Sequence, residues 1–102
     1  MAKKTRKKAV KQPQICICTV TGEDTVGIIA RLSAAMAEKN INIVDVNQKI
    51  METYFVMTMA CDMVDATVTV HEISETLDQI GEEMGLQITF QHENIFKAMH
   101  RV

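Results

Sequence analysis

Aromatic side chains are scarce in this sequence, which contains no tryptophan, one tyrosine and three phenylalanines among 102 residues. Proteins that bind RNA on a four-stranded sheet stack bases on aromatic side chains of the two central strands. Only Tyr54 and Phe55 occupy such positions here. The scarcity argues against base stacking as the function of the folded part of the chain.

Long hydrophobic runs are also missing. The apolar stretches fall far short of the ~20 residues that span a bilayer, and no apolar segment typical of a secretion signal lies near the N-terminus. We expect no membrane partner and a cytoplasmic location.

Cysteine is present as three residues, Cys16, Cys18 and Cys61. An odd number without a signal peptide favours reduced thiols. The sequence has neither a CxxC motif nor a histidine pair that would complete a metal site. We therefore predict three small buried side chains, with no metal and no cofactor.

Charge is divided unevenly along the chain. Residues 1–11 hold six of the eleven basic residues and no acidic one, whereas residues 12–102 hold five basic and thirteen acidic residues, a charge of −8. We predict a disordered basic arm over residues 1–12 and a single folded domain over 13–102. The arm is either a solvated tail or a contact for nucleic acid or another polyanion.

In the first half of the domain, the spacing of apolar residues predicts a strand over 14–21, a helix from about 25 to 39, and strands over 41–50 and 53–61. Asp24 is placed to cap the helix, and Asn40 to end it in a left-handed conformation. The alternation of the second strand changes phase between Ile43 and Val44, which indicates a β-bulge.

In the second half, apolar residues spaced three and four apart from Val70 to Met84 predict a helix. It starts at the capping box Thr69-x-x-Glu72 and ends at Gly85. A half-exposed strand over 86–92 follows, and then a short C-terminal helix docked through three apolar residues, Ile95, Phe96 and Met99.

The fold class is therefore α+β, with the ferredoxin-like order βαββαβ. We predict a four-stranded antiparallel sheet of strand order 4-1-3-2, with both main helices on one face. The other face of the central strands keeps four apolar residues, Ile15, Ile17, Tyr54 and Val56. Such a patch favours a homodimer, although the C-terminal helix could cover part of it.

The turn between the first strand and the first helix is the candidate site. A helix N-terminus offers unpaired N–H groups and partial positive charge, which favour a carboxylate. Gly27 leaves the backbone approachable, and the Asp24 carboxylate suits an ammonium group, so the turn would fit a zwitterion. The residues alone leave a structural alternative open, in which Asp24 only caps and Gly27 only permits close packing.

The motifs GEDTVGII (residues 22–29), NINI (40–43) and Asp45–Val46 resemble the ACT domain over about residues 14–92, and the segment 92–101 resembles small proteins made of a single ACT domain. The resemblance implies a non-catalytic regulatory domain that binds an amino acid at a dimer interface and acts on an enzyme or transcription factor. It also implies a ligand site formed by Asp24, Thr25, Val26, Gly27, Ile28 and Asn42. Val26 departs from the family pattern, which has proline there and hence a stiffer loop.

Two alternatives remain beside amino-acid binding: a module for oligomerisation only, and nucleic-acid contact through the arm. Catalysis has little support. Acylphosphatases share the topology, but Arg31 comes too late in the helix to cradle a phosphate, and the three histidines are scattered over different elements: His71, His92 and His100.

Overall fold

The computed structural model describes residues 11–100. These residues form seven elements: β1 (Ile15–Glu23), α1 (Ile28–Glu38), β2 (Asn42–Met51), β3 (Tyr54–Asp62), α2 (Val70–Met84), β4 (Leu86–His92) and α3 (Glu93–Met99). The sheet is antiparallel throughout, with strand order β2-β3-β1-β4. The predicted fold class and strand order are confirmed. Most of the predicted basic arm, residues 1–10, lies outside the described residues.

The hydrophobic core lies between the sheet and the two main helices. In register, Cys18 pairs with Met59 on β3 and with Phe90 on β4, so all three side chains point to the same face. Leu32 of α1 and Leu77 of α2 pack against that face and are no more than 1% exposed. The helix residues buried in the core are therefore among those whose apolar spacing predicts the two helices.

The ends of α2 follow the sequence signals. The Thr69 hydroxyl accepts from the N–H of Glu72 at 3.1 Å, and the Glu72 carboxylate accepts from the N–H of Thr69 at 2.9 Å. This reciprocal pair is the predicted capping box. Gly85 ends the helix with φ 69°, which is also as predicted.

The start of α1 differs from the prediction. The helix begins at Ile28 with Gly27 as its N-cap, and Asp24 does not cap it. The reason is that β1 continues to Glu23 and the N–H of Asp24 donates to the carbonyl of Thr53 at 2.8 Å. At the position where the sequence pattern predicts the first helical turn, the chain is thus still hydrogen-bonded to the β2–β3 turn.

The end of α1 is a Schellman motif, in which Asn40 takes the predicted left-handed conformation with φ 58°. The N–H of Asn40 donates to Ala37 and the N–H of Ile41 donates to Met36. Met36 and Ile41 are both buried, as the hydrophobic contact of this motif requires. The motif fixes the direction in which the chain enters β2.

β2 is an edge strand, and every residue in it except Ile43 is exposed. The register shifts between Ile43 and Asp45, which confirms the predicted bulge. Three apolar residues of this strand are about half exposed: Val44, Val46 and Ile50. Unpaired edges with apolar side chains are surfaces that proteins usually cover.

α3 is present as predicted but is only partly docked. It contacts β1 and β4, and the Gln91 side-chain amide donates to the Met99 sulfur at 3.2 Å. None of its residues is buried, and Ile95 and Met99 are 53% and 64% exposed. The ring of Phe96 stacks on His100 instead of entering the core. Within residues 11–100, no helix has the length and apolarity needed to cross a membrane.

Gly81 sets the distance between α2 and β4. A Cβ at this position would lie 2.7 Å from the carbonyl oxygen of Leu86, a backbone atom that cannot rotate away. Glycine thus permits a helix-to-strand approach that no other residue allows.

We expect Gly81→Ala to lower the free energy of unfolding by about 1–3 kcal/mol, the usual effect of overpacking, although alanine is the better helix former. Urea denaturation measures the change. Gln79→Ala, at an exposed position of the same helix, is the control and should be nearly neutral. A stabilised Gly81→Ala variant would contradict the close packing.

The three cysteines are free and buried, in keeping with their predicted role as small core side chains. Burial raises the pKa of Cys18 and of Cys61 from 9.0 to about 12, and it also raises the pKa of Cys16. The thiol form is therefore favoured in the folded state.

We expect the native thiols to resist alkylation at pH 8, because a pKa near 12 in place of 9.0 makes the thiolate fraction of Cys18 and Cys61 about a thousandfold smaller. Iodoacetamide labelling followed by mass spectrometry should add no group to the folded protein and three groups in urea. Rapid labelling without denaturant would show that the thiols are accessible.

Candidate functional site

The loop of residues 24–27 joins the end of β1 to the start of α1. Asp24, Thr25 and Val26 are exposed, and Val26 is 98% exposed. Gly27 has no side chain with which to cap the helix, and the first turn of α1 holds no acidic residue. The positive end of the helix dipole is consequently not neutralised by the helix's own residues, and its N–H groups are suited to an anionic group.

Gly27 is a glycine because of its backbone conformation. Its φ of 95° lies in the left-handed region that side chains disfavour. A Cβ at Gly27 would meet no described atom within 4 Å, so the corner beside it is open. The glycine is therefore explained without a ligand, but the structure also leaves room for one.

We expect Gly27→Ala to destabilise the fold by about 1–2 kcal/mol, the cost of a left-handed backbone for a residue with a Cβ. Gly27→Asn is the matched variant and should cost less, because asparagine tolerates this conformation better. Urea denaturation distinguishes the two. Equal losses for both variants would point to steric crowding instead of backbone strain.

Asn42 lies at the other end of the sheet from this loop. It pairs with Asp62, whereas Glu23, just before the loop, pairs with Tyr54. These partners are eight residues apart along β3, which corresponds to ~26 Å. One chain therefore brings Asp24, Thr25, Val26, Gly27 and Ile28 together but does not place Asn42 with them.

Asn42 instead lines a surface cavity of about 470 Å³ at the C-terminal end of α1, together with Ala37, Asn40, Ile41, Asp62, Val64 and Asp65. The Asp62 carboxylate accepts from the N–H groups of Gln14 and Val64, at 2.9 and 3.0 Å. The Asn40 side chain donates to the carbonyl of Asp65 at 3.0 Å. Sequence reasoning missed this cavity, although the left-handed Asn40 marks its position.

Within residues 11–100, His71, His92 and Arg31 each have a partner of their own and do not lie together. His71 pairs with Glu75 on the exposed face of α2, and Nδ1 of His92 accepts from the N–H of Asn94 at the start of α3. Arg31 forms an ion pair with Glu83 on α2. Residues 11–100 contain no cluster of histidine, cysteine and acidic side chains that could hold a metal ion.

The family model of the ACT domain matches residues 14–91. The chain belongs to the ACT domain family. A UPF0237 protein of Methanocaldococcus jannaschii is 43% identical over 86 residues, which cover 84% of this chain and 96% of that protein. A UPF0237 protein of Listeria innocua is 48% identical over 86 residues, covering 84% and 97%.

Solved structures agree with this assignment. An ACT domain protein from Streptococcus pneumoniae superimposes with a TM-score of 0.72 and 29% identity, over 87% of this chain and all of that one. Two more distant structures share the fold. One is described as a transcriptional repressor of the glycine cleavage system, with a TM-score of 0.69, 18% identity and coverage of 79% and 46%. The other is the regulatory subunit of aspartate kinase from Thermus flavus, with a TM-score of 0.59, 19% identity and coverage of 79% and 53%.

Proposed function

We propose that this ACT domain is a non-catalytic, cytoplasmic regulator that binds an amino acid as a homodimer and acts on an enzyme or a transcription factor. ACT domains are regulatory ligand-binding domains. The observation that carries the proposal is the open N-terminus of α1, where Gly27 leaves space and no acidic residue of the first turn neutralises the dipole. A ligand carboxylate would bind the N–H groups there, and the Asp24 carboxylate would bind its ammonium group.

A second copy of the chain would complete the site. Two β2 edges paired antiparallel about a two-fold axis place the start of one strand beside the end of the other. Met51, at the end of β2, is in register with Tyr54 and Glu23, next to the loop. The partner's Asn42 would therefore approach Asp24 and Gly27, which no single chain achieves.

The exposed apolar residues support association. Pairing at β2 would cover Val46 and Ile50, which are 48% and 51% exposed. The opposite face of the sheet, where the sequence predicted an apolar patch, holds Ile15, Ile17 and Val56 half-buried, with Tyr54 47% exposed. We favour the β2 edge for the ligand-binding dimer because it brings Asn42 to the loop.

A module that only oligomerises is the alternative function. Such a module would form the dimer without a ligand. The feature that favours it is Val26, which stands where the family pattern has proline. Nucleic-acid contact would rest on the basic residues of 1–11, since residues 12–102 carry a charge of −8.

A thermal-shift screen with the twenty amino acids, with the dimer mass measured in parallel, tests binding. We expect at least one amino acid to raise the melting temperature, and Asp24→Ala and Asn42→Ala each to weaken its affinity about tenfold or more, the effect of removing one charge-assisted or buried hydrogen bond. Asp78→Asn, an exposed change on α2 away from the loop, is the control. A dimer that responds to no amino acid would favour the oligomerisation module.

Mixing the two variants tests whether the site is shared between chains. In a heterodimer of Asp24→Ala and Asn42→Ala chains, one site has lost both residues and the other has kept both. Calorimetry should recover half of the sites at wild-type affinity. No recovery in a heterodimer verified by mass would mean that Asp24 and Asn42 do not meet across the interface.

A further inference from the structure

β4 is the second edge of the sheet, and it lacks the features with which proteins usually protect an edge strand. Its side away from β1 pairs with no strand of residues 11–100. Residues 86–92 include no basic lysine or arginine, no acidic residue and no proline, and their pairing with β1 has no bulge. The other edge, β2, has a bulge and the charged residues Asp45 and Lys49. The backbone N–H and C=O groups on the outer side of β4 are therefore suited to pairing with a further strand.

A groove of about 440 Å³ lies between this edge and α2. It is lined by Asp78, Gly81, Glu82 and residues 86–89. Leu86 is buried and Ile88 packs against the core, whereas the other two strand residues, Gln87 and Thr89, are exposed. A peptide extended along β4 would direct every second side chain to the helix side of the sheet, where the groove lies. The edge therefore offers backbone pairing and a place for alternate side chains together.

The charge of the groove indicates which partner it fits. Its two titratable side chains, Asp78 and Glu82, are both carboxylates and both exposed. They are four residues apart on one face of α2, and neither belongs to an ion pair within residues 11–100. A second copy paired through β4 would bring two acidic grooves to one interface, and residues 12–102 carry a charge of −8. Charge complementarity thus favours a basic partner over a second copy.

We propose that the β4 edge binds an extended basic segment of a partner protein, which pairs with β4 as a fifth strand. Lysine or arginine at alternate positions of the segment binds Asp78 and Glu82, and an apolar residue between them contacts Ile88. Backbone hydrogen bonds supply affinity in this mode, and the alternate side chains supply specificity. Under the proposed function the segment belongs to the regulated enzyme or transcription factor, but docking itself does not depend on the amino-acid site.

The β4 edge stays accessible in the proposed dimer. β3 and β1 separate β2 from β4, so pairing of two β2 edges leaves one β4 edge at each end of an eight-stranded sheet. These two edges would be ~34 Å apart, which is seven strand spacings of about 4.8 Å. A partner with two basic segments would bind the dimer about 10²- to 10⁴-fold more tightly than the monomer. This step alone rests on the proposed function.

A fluorescein-labelled peptide of seven residues, TKTVTKT, tests docking without any amino acid present. Its lysines and its valine share one side of an extended strand. We expect saturable binding that shifts the amide NMR signals of Gly81 and residues 86–91 and leaves those of β2 in place. The peptide TETVTET keeps the pattern but reverses the charge, so it should bind about tenfold more weakly or worse. Absence of saturable binding, or equal binding of the two peptides, would overturn the proposal.

N-methylation separates strand pairing from charge attraction alone. Alternate residues of a strand direct their N–H groups to the same side. One peptide is methylated on the second, fourth and sixth amides of TKTVTKT, and another on the third and fifth, with the charge unchanged. One of the two should lose binding and the other should keep it, because only one set of N–H groups faces β4. Equal behaviour of the two peptides would exclude a fifth strand.

Two double variants with the same change of charge serve as the matched pair. Asp78→Asn with Glu82→Gln, in the groove, should weaken the binding of TKTVTKT about three- to tenfold, the effect of losing two exposed ion pairs. Glu38→Gln with Glu75→Gln, exposed on the two helices outside the groove, should leave it unchanged. Equal losses would mean that affinity follows the total charge of the protein, and would refute the site.

The two sites are read by separate variants. Asp78→Asn weakens peptide binding and leaves amino-acid affinity unchanged, whereas Asn42→Ala should do the reverse, because Asn42 does not line the groove. If no amino acid binds, the proposed function fails and the peptide result still stands. If TKTVTKT does not bind while an amino acid does, docking at β4 is refuted and the sensor remains.

Discussion

The antiparallel register of β1 and β3 is the constraint on which the site depends. Glu23 pairs with Tyr54 and Ile15 pairs with Asp62, so the two ends of β1 stand at opposite ends of the sheet. The Glu23 end of β1 leads into the open N-terminus of α1. The Ile15 end is level with the start of β2, which lies on the other side of β3. A ligand that needs both Gly27 and Asn42 cannot find them in one chain. Under the proposed function, the need for a partner would thus follow from strand pairing, before any argument about apolar surface.

The sequence predicted the elements whose signals are local. The capping box of α2 needs only Thr69 and Glu72, three residues apart, and Gly85 marks its end by itself. The strand order was equally accessible, because a central strand has two apolar faces and an edge strand has one. On β1 the successive residues Cys16 and Ile17 are both apolar, so both faces of the strand are apolar. On β4 the apolar Phe90 is followed by the polar Gln91, so only one face is apolar. Even the bulge after Ile43 appears as a change of phase in the apolar alternation.

The features that the sequence did not predict depend on contacts between distant residues. Asp24 has the chemistry of an N-cap, but its N–H is bound to Thr53, nearly thirty residues away, and this bond delays the helix to Ile28. The place of Asn42 is likewise a matter of register, since the residue type does not reveal which end of the sheet it occupies. The weak docking of α3 has a similar cause. Ile95 and Met99 have helical spacing, but their burial depends on the surface they meet.

A site divided between two chains would link ligand binding to assembly. A ligand that binds the dimer and not the monomer stabilises the dimer, at each of its two sites, by RT ln(1 + [L]/Kd), about 2.7 kcal/mol at a hundredfold excess over Kd. Each occupied site therefore shifts the association equilibrium by roughly a factor of a hundred, because each 1.4 kcal/mol corresponds to a factor of ten. No catalytic group is needed for such a response, and the histidines and Arg31 have partners away from the loop. Regulation would then consist of presenting a paired surface only when the amino acid is present.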